Sequence, residues 1–548
     1  MTIDEQVQTL LTRFGGPEAA PGALLCDDHP PDATAFAFVD AGLGVTTMTY
    51  AELRDRSERF AAALVELGVE PGDRVATLMG KSRELVTAIV GTLRCGAVYV
   101  PLFTAFGPGA AATRLLGGQV KVVVVDPEQR AKLAPSEDIP TDPPWTVIVN
   151  GASSLAGDLS LDDLLDRPAQ GLPARSVGAD GPMLLLFTSG TTGPPKGVEL
   201  PARALAGFVG YLDFGIGLRD DDVYWNAADP GWAYGLYYAI LAPLAAGRPS
   251  ILLSAGFSAD LTWAVLDRLA VTNFAAAPTV YRALRNTPSN APAGSRLRRL
   301  SSAGEPLPPD VVDWARQAVG APIRDHYGQT ELGMVIGNAW HRDLCEEIRP
   351  GSMGRTLPGW TATVLRDDAG EAPAGETGRL AVAAGSPFIP FTGYLGAPEK
   401  TAERFTPDGD WYLTGDVARR EADGAFFFSS RDDDVILMAG YRIGPFDVES
   451  ALLAHEAVAE AAVVGVPDPL RGEVLEAFVV LQAGAEGGDA LVADLQEHVK
   501  TRHAAHAYPR QVHFVDALPR TPSGKVKRYV LRERRAAKAA PGRSPSAA

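Results

Sequence analysis

Apolar and polar residues alternate along the first half of the chain in two periods, one typical of helices and one typical of strands. The clearest helix is predicted to begin at a capping box, Thr49 with Glu52, and to place Leu53, Phe60 and Leu64 on one side. Short apolar, β-branched runs follow, as in strands that are covered on both faces. They lie near residues 75–79, 98–102, 122–125, 146–149, 184–187, 251–253 and 274–276. This βαβ rhythm predicts an α/β fold with a large N-terminal domain of layered parallel sheets and helices.

Beyond about residue 350 the pattern changes to short strands separated by glycine and aspartate turns, which predicts a small β-rich subdomain. The charged run from Arg431 to Asp434 follows it and is a predicted hinge. Helices near 445–454 and 490–503, with strands near 461–466, 476–481 and 512–514, predict a small α+β C-terminal domain that is mobile. The predicted boundaries are 1–430 for the N-terminal domain, 350–430 for its β-rich subdomain, 431–435 for the hinge, 436–535 for the C-terminal domain and 536–548 for a disordered tail.

Composition narrows the function classes. With 548 residues the chain is too long for one core, and its 46% hydrophobic and 21% charged residues are those of an ordinary globular protein. A net charge of -17 argues against a nucleic-acid partner. The three cysteines have no metal-ligand spacing and suit a reducing compartment. The longest apolar run, 233–247, is shorter than the roughly 20 residues that a membrane span needs. A cytoplasmic protein without a membrane span is therefore expected.

One segment has the composition of a phosphate-binding loop. A predicted strand at 183–187 runs directly into Thr188, Ser189, Gly190, Thr191, Thr192, Gly193, Pro194, Pro195 and Lys196. Glycine lets backbone N–H groups approach phosphate oxygens, while hydroxyls and an ammonium add charge-assisted bonds. The spacing differs from the Walker pattern, so a GTPase or an ordinary ATPase fold is not implied. A solvated linker is the structural alternative for such a loop.

Five further clusters carry candidate chemistry, and each by itself could be a tight turn, a helix cap or a surface ion pair. They lie at residues 302–306, 326–331, 412–416, 440–445 and 519–528. The first could line a flat ligand, and the second combines an aromatic ring, a hydroxyl and a carboxylate. The third ends a predicted strand with an acid that suits a ribose diol. The fourth is a rigid basic turn and the fifth a basic loop.

Together, and in this order, the clusters are specific. The sequence resembles the adenylate-forming superfamily of acyl-CoA synthetases, luciferases and peptide-synthetase adenylation domains, from about Thr49 to Leu531. Four motifs most resemble those of short- and medium-chain acyl-CoA synthetases. They lie at residues 327–331, 350–355, 440–445 and 463–474. The resemblance implies an enzyme that uses ATP, Mg²⁺ and CoA. Such an enzyme converts a carboxylic acid and ATP to acyl-AMP and pyrophosphate, and then acyl-AMP and CoA to acyl-CoA and AMP.

The resemblance also implies residue roles on the nucleotide side. The β- and γ-phosphates are implied to contact Thr188, Ser189, Gly190, Thr191, Thr192, Gly193 and Lys196. The adenine is implied to lie beside Gly304, Glu305 and Pro306, with Tyr327 stacked on it, and the ribose hydroxyls are implied to contact Asp416 and Arg431. Gly328 and Gln329 are further implied cofactor-binding residues. Glu331 and Thr330 are implied to be catalytic residues, Glu331 as the Mg²⁺ ligand and Thr330 near the α-phosphate. Gly440 is implied to border the pantetheine tunnel, and Arg442 is a further cofactor-binding residue of the same turn.

The first half-reaction brings two anions together, so charge neutralisation and alignment matter more than proton transfer. The resemblance assigns this task to Lys525, which bridges the substrate carboxylate and the α-phosphate, and gives Asp433 the role of the hinge about which the C-terminal domain rotates. Acetylation of Lys525 would remove the required charge. A lysine acetyltransferase that acts on Lys525 is therefore one candidate partner, and a second copy of the chain is another.

The residues implied to form the acyl pocket are Trp232, Tyr234, Gly235, Tyr237 and Gly328. Ala233 stands where amino-acid-activating relatives carry a carboxylate, and an unpaired ammonium is costly to bury, so no amino acid is expected. Acetate-specific relatives carry a tryptophan at the position of Gly328. The glycine is expected to remove that wall, which predicts acids from propionate to octanoate, or benzoate-like acids.

Other functions stay open. One is an adenylating enzyme that loads the phosphopantetheine of a carrier protein, and another is an acetate-specific acetyl-CoA synthetase. A non-catalytic nucleotide or acyl-adenylate sensor is disfavoured because Lys196, Glu331, Asp416, Arg431 and Lys525 are all present. Nothing in the sequence selects luciferase-type oxygenation.

Overall fold

The computed structural model describes residues 1–151, 155–167, 171–188, 195–287, 291, 294–438, 441–468, 471–502, 507–520 and 526–539. Its α-helices are Ile3–Phe14, Tyr50–Glu66, Arg83–Arg94, Pro108–Gly117, Leu161–Leu165, Ala204–Gly210, Ala233–Gly235, Ala242–Ala246, Ala259–Arg268, Pro278–Asn286, Pro309–Ala318, Pro398–Ala402, Pro445–Leu453, Asp489–Arg502 and Arg528–Ala539. Three segments are π-helical, namely Ala23–Asp27, Tyr211–Ile216 and Leu236–Leu241, and Pro127–Leu133 and Asp432–Asp434 form 3-10 turns. The predicted capping box is present, since Thr49 and Glu52 bond each other's backbone N–H groups.

Two sheets of the N-terminal part contain strands that the βαβ pattern predicted. Sheet A has the order Ser250–Leu253, Thr34–Val39, Val45–Thr49. Sheet B has the order Leu159–Ser160, Thr146–Val149, Val120–Val125, Arg74–Leu78, Val98–Pro101, Pro182–Thr188, Lys196–Pro201. All neighbours in sheet B are parallel except the last pair, which is antiparallel. The strand that leads to the predicted phosphate loop is therefore held between two neighbours.

The third sheet carries several of the predicted motifs. Sheet C has the order Tyr224–Asn226, Asn273–Ala276, Arg299–Ala303, Ile323–Gln329, Gly333–Gly337, Arg355–Thr356. Its first four strands are parallel, so the ends of these strands lie along one edge. The motif at 326–331 was not predicted as a strand, yet it occupies the end of Ile323–Gln329, where an antiparallel neighbour covers it. Tertiary pairing with Gly333–Gly337 overrides the polar composition of this segment.

The β-rich and C-terminal segments form separate sheets. Sheet D is antiparallel, in the order Ala362–Leu365, Thr377–Ala383, Trp411–Arg420, Phe426–Arg431. Sheet E has the order Tyr441–Ile443, Ile436–Met438, Gly472–Leu481, Val458–Asp468, and Gln511–Phe514 also pairs with Gly472–Leu481. A separate buried cluster of apolar residues lies within the C-terminal unit. These observations confirm the predicted fold class, an α/β protein with a small α+β C-terminal unit.

Residues 432–435 connect sheet D to sheet E, in the segment predicted as a hinge. The two units contact each other beside this connection, where Ser429 donates a hydrogen bond of 3.1 Å to the carboxylate of Asp447. The backbone of Gly444 is so close to Ser429 that a Cβ atom there would lie 2.4 Å from the Ser429 carbonyl oxygen. The apolar run at 233–247 is helical and mostly buried. None of the helices in the described part of the chain has the length and apolar character that a membrane span requires.

Candidate active site

The two ends of the predicted phosphate loop lie side by side. Thr188 and Lys196 are cross-strand partners in sheet B, and the Thr188 hydroxyl lies 3.5 Å from the Lys196 carbonyl oxygen. Ser189, Gly190, Thr191, Thr192 and Gly193 lie outside the described residues. The antiparallel pairing turns the chain back at the end of a buried strand.

The ammonium of Lys196 lies over an aromatic ring, 5.0 Å from the centroid of Tyr394. Burial lowers the pKa of Lys196, and repulsion from Arg404 and Lys400 lowers it further. Glu331 acts in the opposite direction by attraction. This lysine is therefore a partly desolvated cation close to other cations, an environment that an anionic ligand would stabilise.

Glu331 is buried, and within the described part of the chain its carboxylate accepts a hydrogen bond from a tyrosine. Tyr394 Oη donates to Glu331 Oε1 over 2.8 Å, and Arg404 Nε donates to Tyr394 Oη over 3.0 Å. Tyr394 therefore bonds Oε1 of Glu331 and not Oε2. Tyr394 and Arg404 were not found from the sequence, because neither belongs to a recognisable motif. Only their contacts with Glu331 and Lys196 reveal them.

A second carboxylate, Asp416, is bound from sheet C. Tyr327 Oη donates to Asp416 Oδ2 over 2.5 Å, and Gln329 Nε2 donates to the same oxygen over 2.8 Å. Gln329 Nε2 also donates to the Thr414 carbonyl oxygen over 2.8 Å. Arg431 is the cross-strand partner of Asp416 in sheet D. The structure thus brings together four of the residues that the sequence predicted to bind the cofactor.

The cluster at 302–306 divides into two parts. Gly304 has a positive φ of 97°, which favours glycine, and Pro306 follows it in the same loop. Glu305, however, directs its carboxylate to a helix, where Arg282 Nη2 and Thr279 Oγ1 each lie 3.2 Å from it. These partners hold the carboxylate of Glu305 against the helix, and the contact of Gly304, Glu305 and Pro306 with an adenine stays a prediction.

Asp325 belongs to none of the clusters predicted from the sequence, although it comes two residues before Tyr327. It lies in Ile323–Gln329 next to Ser302 of the neighbouring strand. Its Oδ1 atom is buried and has no hydrogen-bond partner among the described residues. Burial raises the pKa of Asp325 well above its ordinary value. An unpaired buried oxygen beside the loop at 304–306 is a candidate contact for a ligand donor.

The predicted acyl-pocket segment is aromatic and closely packed. Tyr237 is buried, stacks on Phe208 with ring centroids 4.1 Å apart, and donates to the Thr330 carbonyl oxygen over 2.9 Å. Trp232 and Tyr234 are half-buried. At Gly235 a Cβ atom would lie 2.1 Å from the Asp229 carbonyl oxygen, so only glycine fits there. The segment therefore touches Thr330 directly through Tyr237.

The structure requires a glycine at position 328 for a reason that differs from the one predicted. A Cβ atom at this position would lie 2.1 Å from the Gly333 carbonyl oxygen and 2.7 Å from the Met334 Cα atom. The backbone of the adjacent strand occupies the direction that was expected to be open. The glycine permits the close approach of two strands, and the inference that it lengthens the acyl channel needs correction on this ground.

Several predicted site residues cannot be placed together with these. Lys525 and Gly440 lie outside the described residues. Arg442 belongs to the strand Tyr441–Ile443 and Asp433 to the 3-10 turn Asp432–Asp434, and the described part of the chain covers only the backbone of both. What is brought together is Lys196, Glu331 and Asp416 with their neighbours, a set of charges suited to a phosphorylated ligand.

Comparisons with known proteins agree with this geometry. A family model described as AMP-binding enzyme matches residues 26–395, and one described as AMP-binding enzyme C-terminal domain matches residues 447–525. An acetyl-coenzyme A synthetase from Bacillus subtilis (strain 168) is 37% identical over 489 residues, which cover 88% of this chain and 84% of that protein.

Two solved structures extend the comparison to the fold. The crystal structure of Brucella canis acyl-CoA synthetase is 42% identical, with a TM-score of 0.75 over 98% of this chain and 99% of that one. A benzoate CoA ligase from Burkholderia xenovorans LB400 is 30% identical, with a TM-score of 0.82 over 94% of this chain and 100% of that one. The resemblance seen in the motifs is confirmed. The chain therefore belongs to the family of AMP-binding enzymes, as an AMP-forming acid–CoA ligase.

Proposed function

We propose that this ligase activates a short- or medium-chain or an aromatic carboxylic acid with ATP and transfers the acyl group to CoA. The carboxylate oxygen attacks the α-phosphate of ATP, so that acyl-AMP forms and pyrophosphate leaves. The CoA thiol then attacks the acyl carbon, so that the thioester forms and AMP leaves. The observation that carries the proposal is the buried Glu331 carboxylate, held by Tyr394 next to the partly desolvated Lys196.

The nucleotide side of the proposal assigns each contact to a described residue. Lys196 binds the β- and γ-phosphates, and Asp416 binds the ribose hydroxyls, oriented by Tyr327 and Gln329. The unpaired Oδ1 atom of Asp325 accepts a hydrogen bond from the adenine amino group. Preorganised groups of this kind stabilise charge that develops in the transition state without reorganising at the moment of reaction.

The residues present fit a magnesium ion that ATP brings to the site. Glu331 offers a carboxylate oxygen, the type of ligand that Mg²⁺ prefers. The described residues contain no cluster of three or more His, Cys, Asp or Glu side chains that would form a complete metal site. This suits an ion that phosphates and water bind on most sides. Bound there, the ion would neutralise phosphate charge.

We further propose that Lys525 bridges the substrate carboxylate and the α-phosphate, with rotation about residues 431–435 removing it before thioester formation. A lysine acetyltransferase that modifies Lys525 would then stop the first half-reaction. The enzyme is proposed to act in the cytoplasm, because Cys26, Cys95 and Cys345 are free thiols. A homo-oligomer is compatible with the same site.

The acid is proposed from the acyl-pocket residues Trp232, Tyr234 and Tyr237. Aromatic side chains form an apolar, closely packed surface, and each buried methylene adds roughly 0.8 kcal/mol of binding. The benzoate CoA ligase named above supports an aromatic acid. Acetate is a second candidate, favoured by similarity to an acetyl-coenzyme A synthetase. A carrier-protein phosphopantetheine is a second candidate for the acceptor.

The test is pyrophosphate release with acids from C2 to C12 and with benzoates, measured with CoA, with a carrier protein, and without an acceptor. We expect release with C3 to C8 or aromatic acids and acyl-CoA formation only with free CoA. Acetate as the best substrate would select the second candidate acid. Thioester formation only on a carrier protein would overturn the proposed acceptor.

A further inference from the structure

A chain of hydrogen bonds connects the acyl-pocket segment to the interior of the protein. Tyr234 Oη lies 3.2 Å from Tyr211 Oη, which lies 2.7 Å from His326 Nδ1. His326 Nε2 lies 3.2 Å from the carbonyl oxygen of Asn338. We call these four groups the tyrosine relay. Tyr211 and His326 are buried and Tyr234 is half-buried, so Tyr234 is the least buried side chain of the relay.

The protonation of His326 sets the direction of these bonds. Burial lowers the pKa of His326 to about 3, so its ring is neutral near pH 7 and carries one N–H. A carbonyl oxygen can only accept, so the N–H is on Nε2 and faces Asn338, and Nδ1 is an acceptor. The hydroxyl of Tyr211 therefore donates to His326. The hydroxyl of Tyr234 in turn donates to Tyr211.

Packing keeps the relay in this arrangement. Tyr211 is the first residue of the π-helical segment Tyr211–Ile216, a rare conformation that is frequent at functional sites. The rings of Tyr211 and His326 meet edge to face, 5.2 Å apart. A Cβ atom at Gly337 would lie 2.8 Å from His326 Cδ2, so the glycine is what lets the imidazole fit. The ring of Tyr234 packs against Tyr238, 5.5 Å away.

We propose that Tyr211 and His326 are positioning residues for acid specificity, which fix Tyr234 as a hydrogen-bond acceptor toward the acyl chain. The enzyme then prefers acids that carry a hydroxyl on that chain over keto acids of the same carbon skeleton. Tyr234 gives its only proton to Tyr211, so it can accept a bond from the substrate but cannot donate one. A keto oxygen would place two acceptors against each other. The inference rests on the proposed place of Tyr234 in the acyl pocket.

The experiment compares hydroxy and keto acids, with the hydroxyl or keto group moved along C4 to C8 chains and around benzoate-like rings. The readout is the ratio of kcat/KM for pyrophosphate release within each pair. At the chain position that reaches Tyr234, we expect the hydroxy acid to be favoured by about fivefold to tenfold, the effect of one hydrogen bond. The ratio comes from one preparation, so it does not depend on the fraction of enzyme that is folded.

Two variants that each lose one hydroxyl separate positioning from simple packing. Tyr211→Phe leaves the Tyr234 proton without its acceptor, so the proton can turn toward the acyl chain, and we expect the preference to invert in favour of the keto acid. Tyr234→Phe removes both donor and acceptor, and we expect the ratio to approach one. A merely structural role would lower both rates together in both variants without changing the ratio, and that result would overturn the inference.

Two substitutions of His326 provide a further test of the relay. His326→Asn keeps an acceptor near the position of Nδ1 and is expected to retain the hydroxy preference, whereas His326→Leu offers no acceptor and is expected to lose or invert it. A wild-type enzyme that favours no hydroxy acid at any position would also overturn the inference. If no acid supports pyrophosphate release, the proposed function fails as well. If Tyr211→Phe still releases pyrophosphate and its ratio of kcat/KM for hydroxy and keto acids is unaltered, only the proposed role of the tyrosine relay is contradicted.

Discussion

The two sides of the candidate active site hold their polar groups in different ways. On the side proposed to bind the nucleotide, the carboxylates of Asp416 and Glu331 receive hydrogen bonds from Tyr327 and Tyr394. On the acyl side, the tyrosine relay consists of hydroxyls, a neutral imidazole and a backbone carbonyl. The first set is directed by charge, because a carboxylate can only accept. The second is directed by the tautomer of one histidine.

The difference shows where specificity can come from in this enzyme. A hydrogen bond to a charged group is roughly twice as strong as one between neutral groups, so we expect the proposed nucleotide side to supply affinity and charge stabilisation. The neutral relay contributes less energy but fixes which partner donates. A single change on the nucleotide side should therefore lower activity strongly, whereas one on the acyl side should mainly change which acid is used.

The largest expected effect is that of Glu331→Gln. The change removes a negative charge that is proposed to bind the metal ion, and we expect kcat for pyrophosphate release to fall by about a hundredfold to a thousandfold. Glu305→Gln is the matched control, because its carboxylate bonds Arg282 and Thr279 instead. Equal losses in the two variants would contradict the separate roles of these glutamates.

Tyr327→Phe tests the charged bond to Asp416 while keeping an aromatic ring. Loss of a hydrogen bond to a carboxylate costs about 1.5 kcal/mol or more, so we expect the KM for ATP to rise about tenfold with little change in kcat. Tyr224→Phe serves as the control, since its hydroxyl donates to the neutral Tyr238 carbonyl oxygen over 3.0 Å. An unchanged KM for ATP in Tyr327→Phe would break the comparison between the two sides.

The pH dependence of ATP binding sharpens the comparison. Burial lowers the pKa of Lys196, so its ammonium loses its proton at a lower pH than that of an ordinary lysine. The KM for ATP should rise as the pH increases through the pKa of Lys196, because the deprotonated amine no longer attracts phosphate. In Lys196→Arg the cation stays charged, and we expect the rise to move upward by about one pH unit or more. Lys400→Arg, a change at an exposed position, should leave the profile where it is.

Tyr237→Phe should have the smallest effect. It removes a neutral bond of 2.9 Å to the Thr330 carbonyl oxygen, worth about 1 kcal/mol, so we expect kcat/KM for the acid to fall about fivefold. The KM for ATP should stay nearly constant. Steady-state kinetics with ATP and acid varied separately measure both. A loss as large as that of Glu331→Gln would show that the acyl side also acts through charge stabilisation.

The fold class and the family could be predicted from the sequence, because both depend on patterns within short segments. The alternation of strands and helices in the N-terminal part follows from local periodicity, and the family follows from the residues of short motifs. Side-chain directions could not be predicted in the same way. Glu305 belongs to a predicted cluster but turns toward a helix, and Gly328 faces the backbone of Gly333 rather than an open channel.

By itself, the sequence determined the fold class, the family and many of the strands and helices, and it predicted which motifs would carry the phosphate, ribose and metal chemistry. Only the tertiary structure decided which side chains form hydrogen bonds with the residues of these motifs. Tyr394 lies 63 residues from Glu331 along the chain, and Tyr211 lies 115 residues from His326. Their pairing follows from how sheets and helices pack, and no local pattern records it. The direction of the relay also depends on burial, because only a buried histidine has its charge and tautomer fixed by its neighbours.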